Sequence, residues 1–105
     1  MIDRDIALWY HGKNRGGKLK KKHLKTLESV FKTPVQSNVK WSDIEKLLTA
    51  LGAEISEGNG SRVRIALNDV KAVFHRPHPK KEADKGALVS MRRFLTNAGI
   101  RYDEI

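Results

Sequence analysis

A chain of 105 residues is long enough for one compact domain and too short for two, so any functional site must lie on or beside one modest core. The absence of cysteine excludes disulfides and thiolate chemistry, and the lack of a long apolar run excludes a membrane helix, which together favour a cytoplasmic protein. A net charge of +9 favours a polyanionic partner, either nucleic acid or an acidic protein.

The positive charge is concentrated at the start of the chain. The first 25 residues hold eight Lys and Arg against two acids, whereas the remaining residues hold thirteen against ten. Three glycines between positions 12 and 17 disfavour regular structure there. We therefore predict a basic, flexible arm over residues 1–22 and a single domain over residues 23–105. The opening MIDRDIALWY has apolar residues at even positions, which suits either a short strand or a docking peptide.

Two helical patterns precede the predicted strands. Apolar residues at helical spacing over residues 23–32 predict a first helix, and Pro34 ends the pattern. The segment WSDIEKLLTALG predicts a second helix with a buried apolar stripe. In this helix we expect Ser42 and Glu45 to form a capping box and Gly52 to end the last turn.

A strand near residues 53–57 and the turn GNG lead into a predicted hairpin. Asn68 and Asp69 both tolerate positive φ, so they suit a two-residue turn that pairs Leu67 with Val70. Alternation along the two strands then points one set of side chains into the core and the other to the opposite side. The outward set brings together two arginines, a lysine and a histidine: Arg62, Arg64, Lys71 and His75.

The last helical pattern completes the predicted architecture. Asp84 is placed to cap KGALVSMRRFLTNAG, and Gly99 is placed to end it. The order is helix, helix, three strands and helix. It predicts an α+β fold with a small three-stranded antiparallel sheet, helices packed on one face and the other face open to water.

A second histidine follows the hairpin in the segment HRPHP. Pro77 and Pro79 favour extended conformations for Arg76 and His78, which would return His78 to the side of His75. Imidazoles beside guanidinium groups suit RNA cleavage, since imidazole can transfer protons at the 2′- and 5′-oxygens while cations stabilise the phosphorane. The alternative interpretation is an ordinary solvated strand face with arginine at alternate positions.

The histidine spacing does not favour a metal site. His75 and His78 would supply two ligands, but zinc takes three or four, and His11 and His23 lie in or beside the basic arm. Ser61 lacks an adjacent base and is interpreted as a structural residue. We therefore predict a site without metal or cofactor.

Several short motifs occur in a characteristic order between residues 41 and 100. They are LLTALGAE at the helix exit, GNGS before a basic strand, HP after the last strand, and Lys-Gly opening a helix that ends in Ala-Gly. In this order they resemble the HicA family, the small toxins of HicA–HicB toxin–antitoxin pairs. The resemblance implies a double-stranded-RNA-binding-domain-like fold, with the first helix as an extra element. It also implies a ribosome-independent mRNA interferase, an endoribonuclease that acts on mRNA and is neutralised by the antitoxin HicB.

The resemblance does not supply the catalytic base. The family's catalytic histidine lies directly after the Gly-Ser turn, where this chain has Arg62. We therefore expect His75 or His78 to take over the proton transfer, unless the nuclease is weak or lost and the chain only binds RNA as a regulatory module. Of the two, we predict His75 as the base or acid, assisted by His78. The predicted RNA-binding residues are Arg62, Arg64, Lys71, Arg76, Lys80, Lys81 and Lys85.

Overall fold

Within residues 19–100, three helices and three strands follow one another in the predicted order. The computed structural model describes residues 19–100, so most of the predicted arm, including MIDRDIALWY, lies outside the described residues. The elements are α1 (Lys21–Phe31), α2 (Trp41–Ala50), β1 (Glu54–Glu57), β2 (Arg62–Leu67), β3 (Val70–His75) and α3 (Lys85–Asn97). The predicted α+β class is confirmed. Helix α1 begins two residues before the predicted start of the domain, and Leu19 already belongs to the core.

The strands form one antiparallel sheet in the order β1-β2-β3. Asn68 and Asp69 make the tight turn between β2 and β3, and their φ angles of 50° and 69° are the positive values that such a turn requires. The pairing runs without a bulge from this turn to Arg62, which lies opposite His75. The predicted register is therefore confirmed, and with it the assignment of side chains to the two faces.

The helices cover only one face of the sheet. Helix α2 packs on β1, α3 packs on β3, and α1 packs against both of these helices. In the central strand the inward Val63, Ile65 and Leu67 are at most 2% exposed. Arg62 and Arg64, which alternate with them, are exposed. Within residues 19–100, no element covers the opposite face, which we call the open face.

Three aromatic rings connect α2, β3 and α3 beneath the sheet. The ring centroids of Trp41 and Phe74 are 6.0 Å apart, and those of Phe74 and Phe94 are 5.8 Å apart at an interplanar angle of 82°. This edge-to-face arrangement is favourable for aromatic pairs. All three residues are at most 6% exposed and belong to the core. Since Phe74 immediately precedes His75, the aromatic cluster anchors the end of β3.

The predicted ends of the helices are mostly confirmed. Asp84 caps α3, because its Oδ1 accepts a hydrogen bond from the backbone N–H of Ala87 at 2.7 Å. Gly52 and Gly99 follow α2 and α3 with φ angles of 95° and 88°, which a residue with a side chain rarely adopts.

The predicted capping box at the start of α2 is wrong. The helix begins at Trp41, and its N-cap residue Lys40 makes no side-chain cap hydrogen bond. The carboxylate of Glu45 accepts instead from the indole N–H of Trp41 and from the guanidinium of Arg76. A charged donor forms a stronger hydrogen bond with a carboxylate than a neutral backbone amide does. Glu45 therefore binds Arg76 instead of the backbone N–H groups at the start of α2.

Helix α1 has no basic residue in its last turn, and a residue of α3 caps its C-terminus. The guanidinium of Arg92 donates from Nε to the carbonyl of Val30 and from Nη2 to the carbonyl of Lys32. A cation at this position satisfies carbonyl groups that lack a partner within the helix and interacts favourably with the helix dipole. Arg92 therefore ties the extra helix to the rest of the domain.

Replacing Arg92 with methionine should lower the free energy of unfolding by about 1–3 kcal/mol, because both carbonyls lose a charged donor while the apolar stem is kept. Urea denaturation followed by circular dichroism measures this change. Arg93→Met is the matched control, since Arg93 is exposed on the same helix and should change stability little. Equal midpoints for the two variants would contradict the capping role.

Candidate functional site

The open face consists of three rows of side chains that run across the strands. Starting beside the hairpin turn, the rows are Glu54–Ala66–Lys71, Ser56–Arg64–Val73 and Gly58–Arg62–His75. The four residues that the sequence predicted to share one exposed patch, Arg62, Arg64, Lys71 and His75, are therefore on one face and are all exposed. Because the helices cover the other side, these cationic and imidazole groups face solvent together.

Arg62 and His75 are direct cross-strand neighbours at one end of the open face. The backbone N–H of Arg76 donates to the carbonyl of Ser61 at 2.9 Å, so the next pair along the ladder is a hydrogen-bonded one. Hydrogen-bonded and non-hydrogen-bonded pairs alternate, which makes Arg62 and His75 a non-hydrogen-bonded pair. In such pairs the Cβ atoms are about 4.5–5.5 Å apart. A guanidinium and an imidazole thus extend side by side into solvent.

The third residue of this row is a glycine that leaves room beside Arg62. A Cβ atom added at Gly58 would lie 3.1 Å from the Cβ of Arg62 and 3.3 Å from its carbonyl oxygen. Contacts this short would force the strand or the arginine to shift. Glycine at this position therefore lets β1 approach the end of β2 without displacing the arginine.

Arg76 continues the alternation of β3 and lies on the helix side of the sheet, away from the open face. Its Nε donates to Glu45 at 2.7 Å, and its Nη1 donates to Glu57 at 2.7 Å. The hydrogen bond from Arg76 lowers the pKa of Glu57, and the bonds to Glu57 and Glu45 raise the pKa of Arg76. Arg76 therefore links α2 and β1 to the residue that follows His75. Its predicted contact with RNA stays a prediction.

The lowered pKa of Glu57 makes this ion pair sensitive to acid. A carboxylate whose pKa is depressed by folding stabilises the folded state above its ordinary pKa, here 4.5, and loses this contribution as the pH falls further. We expect Glu57→Gln to be less stable than the wild type at neutral pH and to lose less stability than the wild type between about pH 5 and pH 3. Urea denaturation at several pH values measures both effects, with Glu28→Gln on the exposed side of α1 as control. Parallel pH profiles for Glu57→Gln and the wild type would contradict the role of the ion pair.

His78 lies in a different depression from the open-face residues. This depression has a volume of about 500 Å³ and is located where the start of α2 meets the segment after β3. It is lined by Lys40, Trp41, Ser42, Arg76, Pro77, His78, Pro79, Lys80 and Lys81. The lining thus unites His78 with two predicted RNA-binding lysines and includes none of the four open-face residues. Lys85 begins α3 and does not line this depression.

Two further features of the described residues bear on the site. Between residues 19 and 100, no three side chains of His, Asp or Glu are arranged to hold a metal ion. No helix in the same part of the chain is long and apolar enough to cross a membrane.

This geometry defines the class of protein: a small α+β domain whose three-stranded sheet has one face covered by helices and one open, cationic face. Comparison with protein families narrows the class, because the family described as the HicA toxin of bacterial toxin-antitoxin systems matches residues 41–100. The match covers more than half of the chain, from the first residue of α2 to just beyond α3, and leaves α1 outside. The chain belongs to the HicA toxin family, which confirms the resemblance found in the sequence and implies an antitoxin partner. No curated protein and no solved structure matches the sequence.

Proposed function

We propose that this chain is the toxin of a type II toxin–antitoxin pair and that it acts in the cytoplasm as a metal-independent endoribonuclease, an mRNA interferase. The observation that carries this proposal is the cross-strand pair of Arg62 and His75 on the open face. The pair sets an imidazole, which can transfer protons, beside a guanidinium on a surface that a long polyanion can reach, and this supports the proposal. Family membership supplies the toxin class, and the pair supplies a chemical reason for cleavage.

All side chains used in the proposed reaction belong to the open face. The imidazole of His75 takes the proton of a ribose 2′-hydroxyl, and the 2′-oxygen forms a bond to phosphorus. The bond between phosphorus and the 5′-oxygen then breaks, and the leaving oxygen receives a proton from the imidazolium or from solvent. The products are a 2′,3′-cyclic phosphate and a 5′-hydroxyl. Arg62 stabilises the charge of the phosphorane, while Arg64 and Lys71 bind neighbouring phosphates.

The same face explains how a HicB-type antitoxin would neutralise the toxin. Arg62, Arg64 and Lys71 present positive charge on an uncovered surface, and an antitoxin with acidic side chains would complement it. Occupying the face would block mRNA without any change in the toxin fold.

Arg62 also favours a second candidate function. In the HicA family the residue after the Gly-Ser turn is the catalytic histidine, and here it is an arginine. A chain that kept the cationic face and lost the proton-transfer group would bind RNA without cutting it. This module would be regulatory and non-toxic, and its RNA affinity would fall steeply with salt concentration.

Expression without a partner, combined with RNA incubation in EDTA, distinguishes the two functions. The nuclease should arrest growth, cleave a synthetic mRNA in the presence of the chelator and leave 2′,3′-cyclic phosphate ends. Co-expression of a HicB-type protein should restore growth. A binding module would be tolerated and would retard intact RNA in a salt-dependent gel shift. Failure to bind or cleave RNA would contradict both functions.

A further inference from the structure

The open face contains a depression beside the proposed cleavage centre, and its chemistry differs from that centre. The depression has a volume of about 390 Å³. It is lined by Glu54, Ser56, Arg64, Ile65, Ala66, Lys71, Ala72 and Val73. It exists because Ala66, in the middle of the first row, carries only a methyl group between the longer side chains of Glu54 and Lys71.

The floor of this depression is apolar. Val73 is 56% exposed, and only one other large apolar side chain in the described part of the chain, Val89 on α3, is comparably exposed at 42%. Val73 lies directly across from Arg64 and diagonally across from Ala66 on the same face. A valine in the middle of a cationic surface keeps apolar area in water, and a ligand that covers it gains free energy.

Polar groups surround this apolar floor. Arg64 and Lys71 supply hydrogen-bond donors, Glu54 supplies an acceptor, and Ser56 can act as either. A flat apolar surface bordered by donors and acceptors matches a nucleobase, whose faces are apolar and whose edge is polar. A phosphate or a ribose would leave the floor uncovered.

The rows also have the spacing that a nucleotide needs. Arg64 and Arg62 are two residues apart on β2, or about 7 Å along the strand, which is comparable with the distance between successive phosphates of an extended RNA strand. A base over Ala66 would place its own phosphate near Arg64 and the adjoining phosphate near Arg62 and His75. The depression therefore lies one nucleotide from the proposed point of cleavage.

We propose that the depression over Ala66 and Val73 binds one unstacked nucleobase of single-stranded RNA, next to the phosphate that Arg62 and His75 hold. This inference rests on the proposed function and deepens it, because it assigns the substrate as single-stranded at the point of cleavage. Bases in an A-form duplex are stacked and paired and cannot enter the depression, whereas a splayed base of a loop or an unpaired segment can.

The test measures binding without cleavage, on oligonucleotides whose 2′-hydroxyls are replaced by fluorine. We expect the wild-type chain to bind the single strand more tightly than the matching duplex. One abasic site, moved along the single strand, should weaken binding about fivefold to tenfold at one position. Ala66→Leu, which fills the depression, should lower the affinity for the intact strand to a similar degree and abolish the effect of the abasic site.

A second pair of variants tests the apolar floor without increasing the volume of a side chain. Val73→Thr removes apolar character without changing shape, and Val89→Thr makes the same change on α3 as the matched control. Only Val73→Thr should weaken single-strand binding, and thermal unfolding should be similar for both. Unchanged binding in Ala66→Leu and Val73→Thr would overturn this inference while leaving the nuclease proposal standing. The inference would also be overturned if Ala66→Leu weakened only the complex with the antitoxin, because the depression would then bind that protein and not a nucleobase. If the wild type binds no RNA, the proposed function itself fails and this inference falls with it.

Discussion

Replacing His75 with alanine should abolish growth arrest and lower the rate of RNA cleavage by a factor of about 10²–10⁴, the usual contribution of a positioned general acid or base. His75 is the proposed proton-transfer group of the open face, whereas the guanidinium of Arg62 beside it offers no acceptor for the proton of a 2′-hydroxyl. RNA affinity should change little, because Arg62, Arg64 and Lys71 still bind the phosphates. Single-turnover cleavage and a gel shift on the same RNA measure the two quantities separately.

Other histidines of the chain provide the comparison for this variant. His75 is exposed at the end of β3, so its truncation leaves the core intact and the fold should be kept. His23→Gln, in α1 and away from the open face, should leave cleavage unchanged. His78→Ala should have a smaller effect than His75→Ala if His78 only assists. Continued toxicity and cleavage in His75→Ala would refute the assignment, and a larger loss in His78→Ala would move the base to the depression at the start of α2.

The arrangement of the open face could be predicted because local signals determine it. Two adjacent residues that tolerate positive φ fix the turn at Asn68 and Asp69, and the period of two in a strand then assigns every side chain of the hairpin to a face. Apolar residues on one set of positions decide which face is buried. The pairing of Arg62 with His75 follows from the sequence without any knowledge of distant contacts.

Two arginines show what such local reasoning misses. The sequence predicts Arg76 as an RNA-binding residue but does not predict its ion pairs with Glu45, which is 31 residues away, and Glu57, which is 19 away. The pattern of α3 likewise does not predict that the guanidinium of Arg92 binds a carbonyl 62 residues away. Partners this distant depend on how the helices pack. One signal for the position of Arg76 was available. The alternation of β3, continued by one residue past His75, directs the side chain of Arg76 to the helix side of the sheet.

The position of His78 relative to His75 could not be predicted for a related reason. His75 belongs to a strand, where the pleat fixes its direction, whereas His78 follows a proline in a segment without ladder pairing. The structure gives His78 a depression shared with Lys80 and Lys81 rather than with the open-face residues. Although His75 and His78 are only three residues apart in the sequence, they lie on different surfaces.

Exchanging the two members of the cross-strand pair, in the variant Arg62→His/His75→Arg, should preserve most of the cleavage activity. The pair keeps one imidazole and one guanidinium on directly opposed positions of the open face, and the net charge is unchanged. The imidazole then occupies the position that holds the catalytic histidine in the HicA family. We expect the exchanged chain to cleave RNA within about tenfold of the wild-type rate, compared with a loss of about 10²–10⁴ in His75→Ala.

Single replacements separate the two roles within the pair. His75→Arg alone has two cations and no imidazole, so it should bind RNA at least as tightly as the wild type and fail to cleave it. Arg62→Ala alone keeps the imidazole and loses the cation, which should cost a factor of about 10²–10³ in the cleavage step. These losses should not add in the exchanged chain, because both groups are restored there. If the exchanged chain is as inactive as His75→Arg, then adjacency of the two groups is insufficient, and an imidazole specifically on β3 is required. If His75→Arg still cleaves RNA, the proton-transfer group lies elsewhere and the open face only binds the substrate.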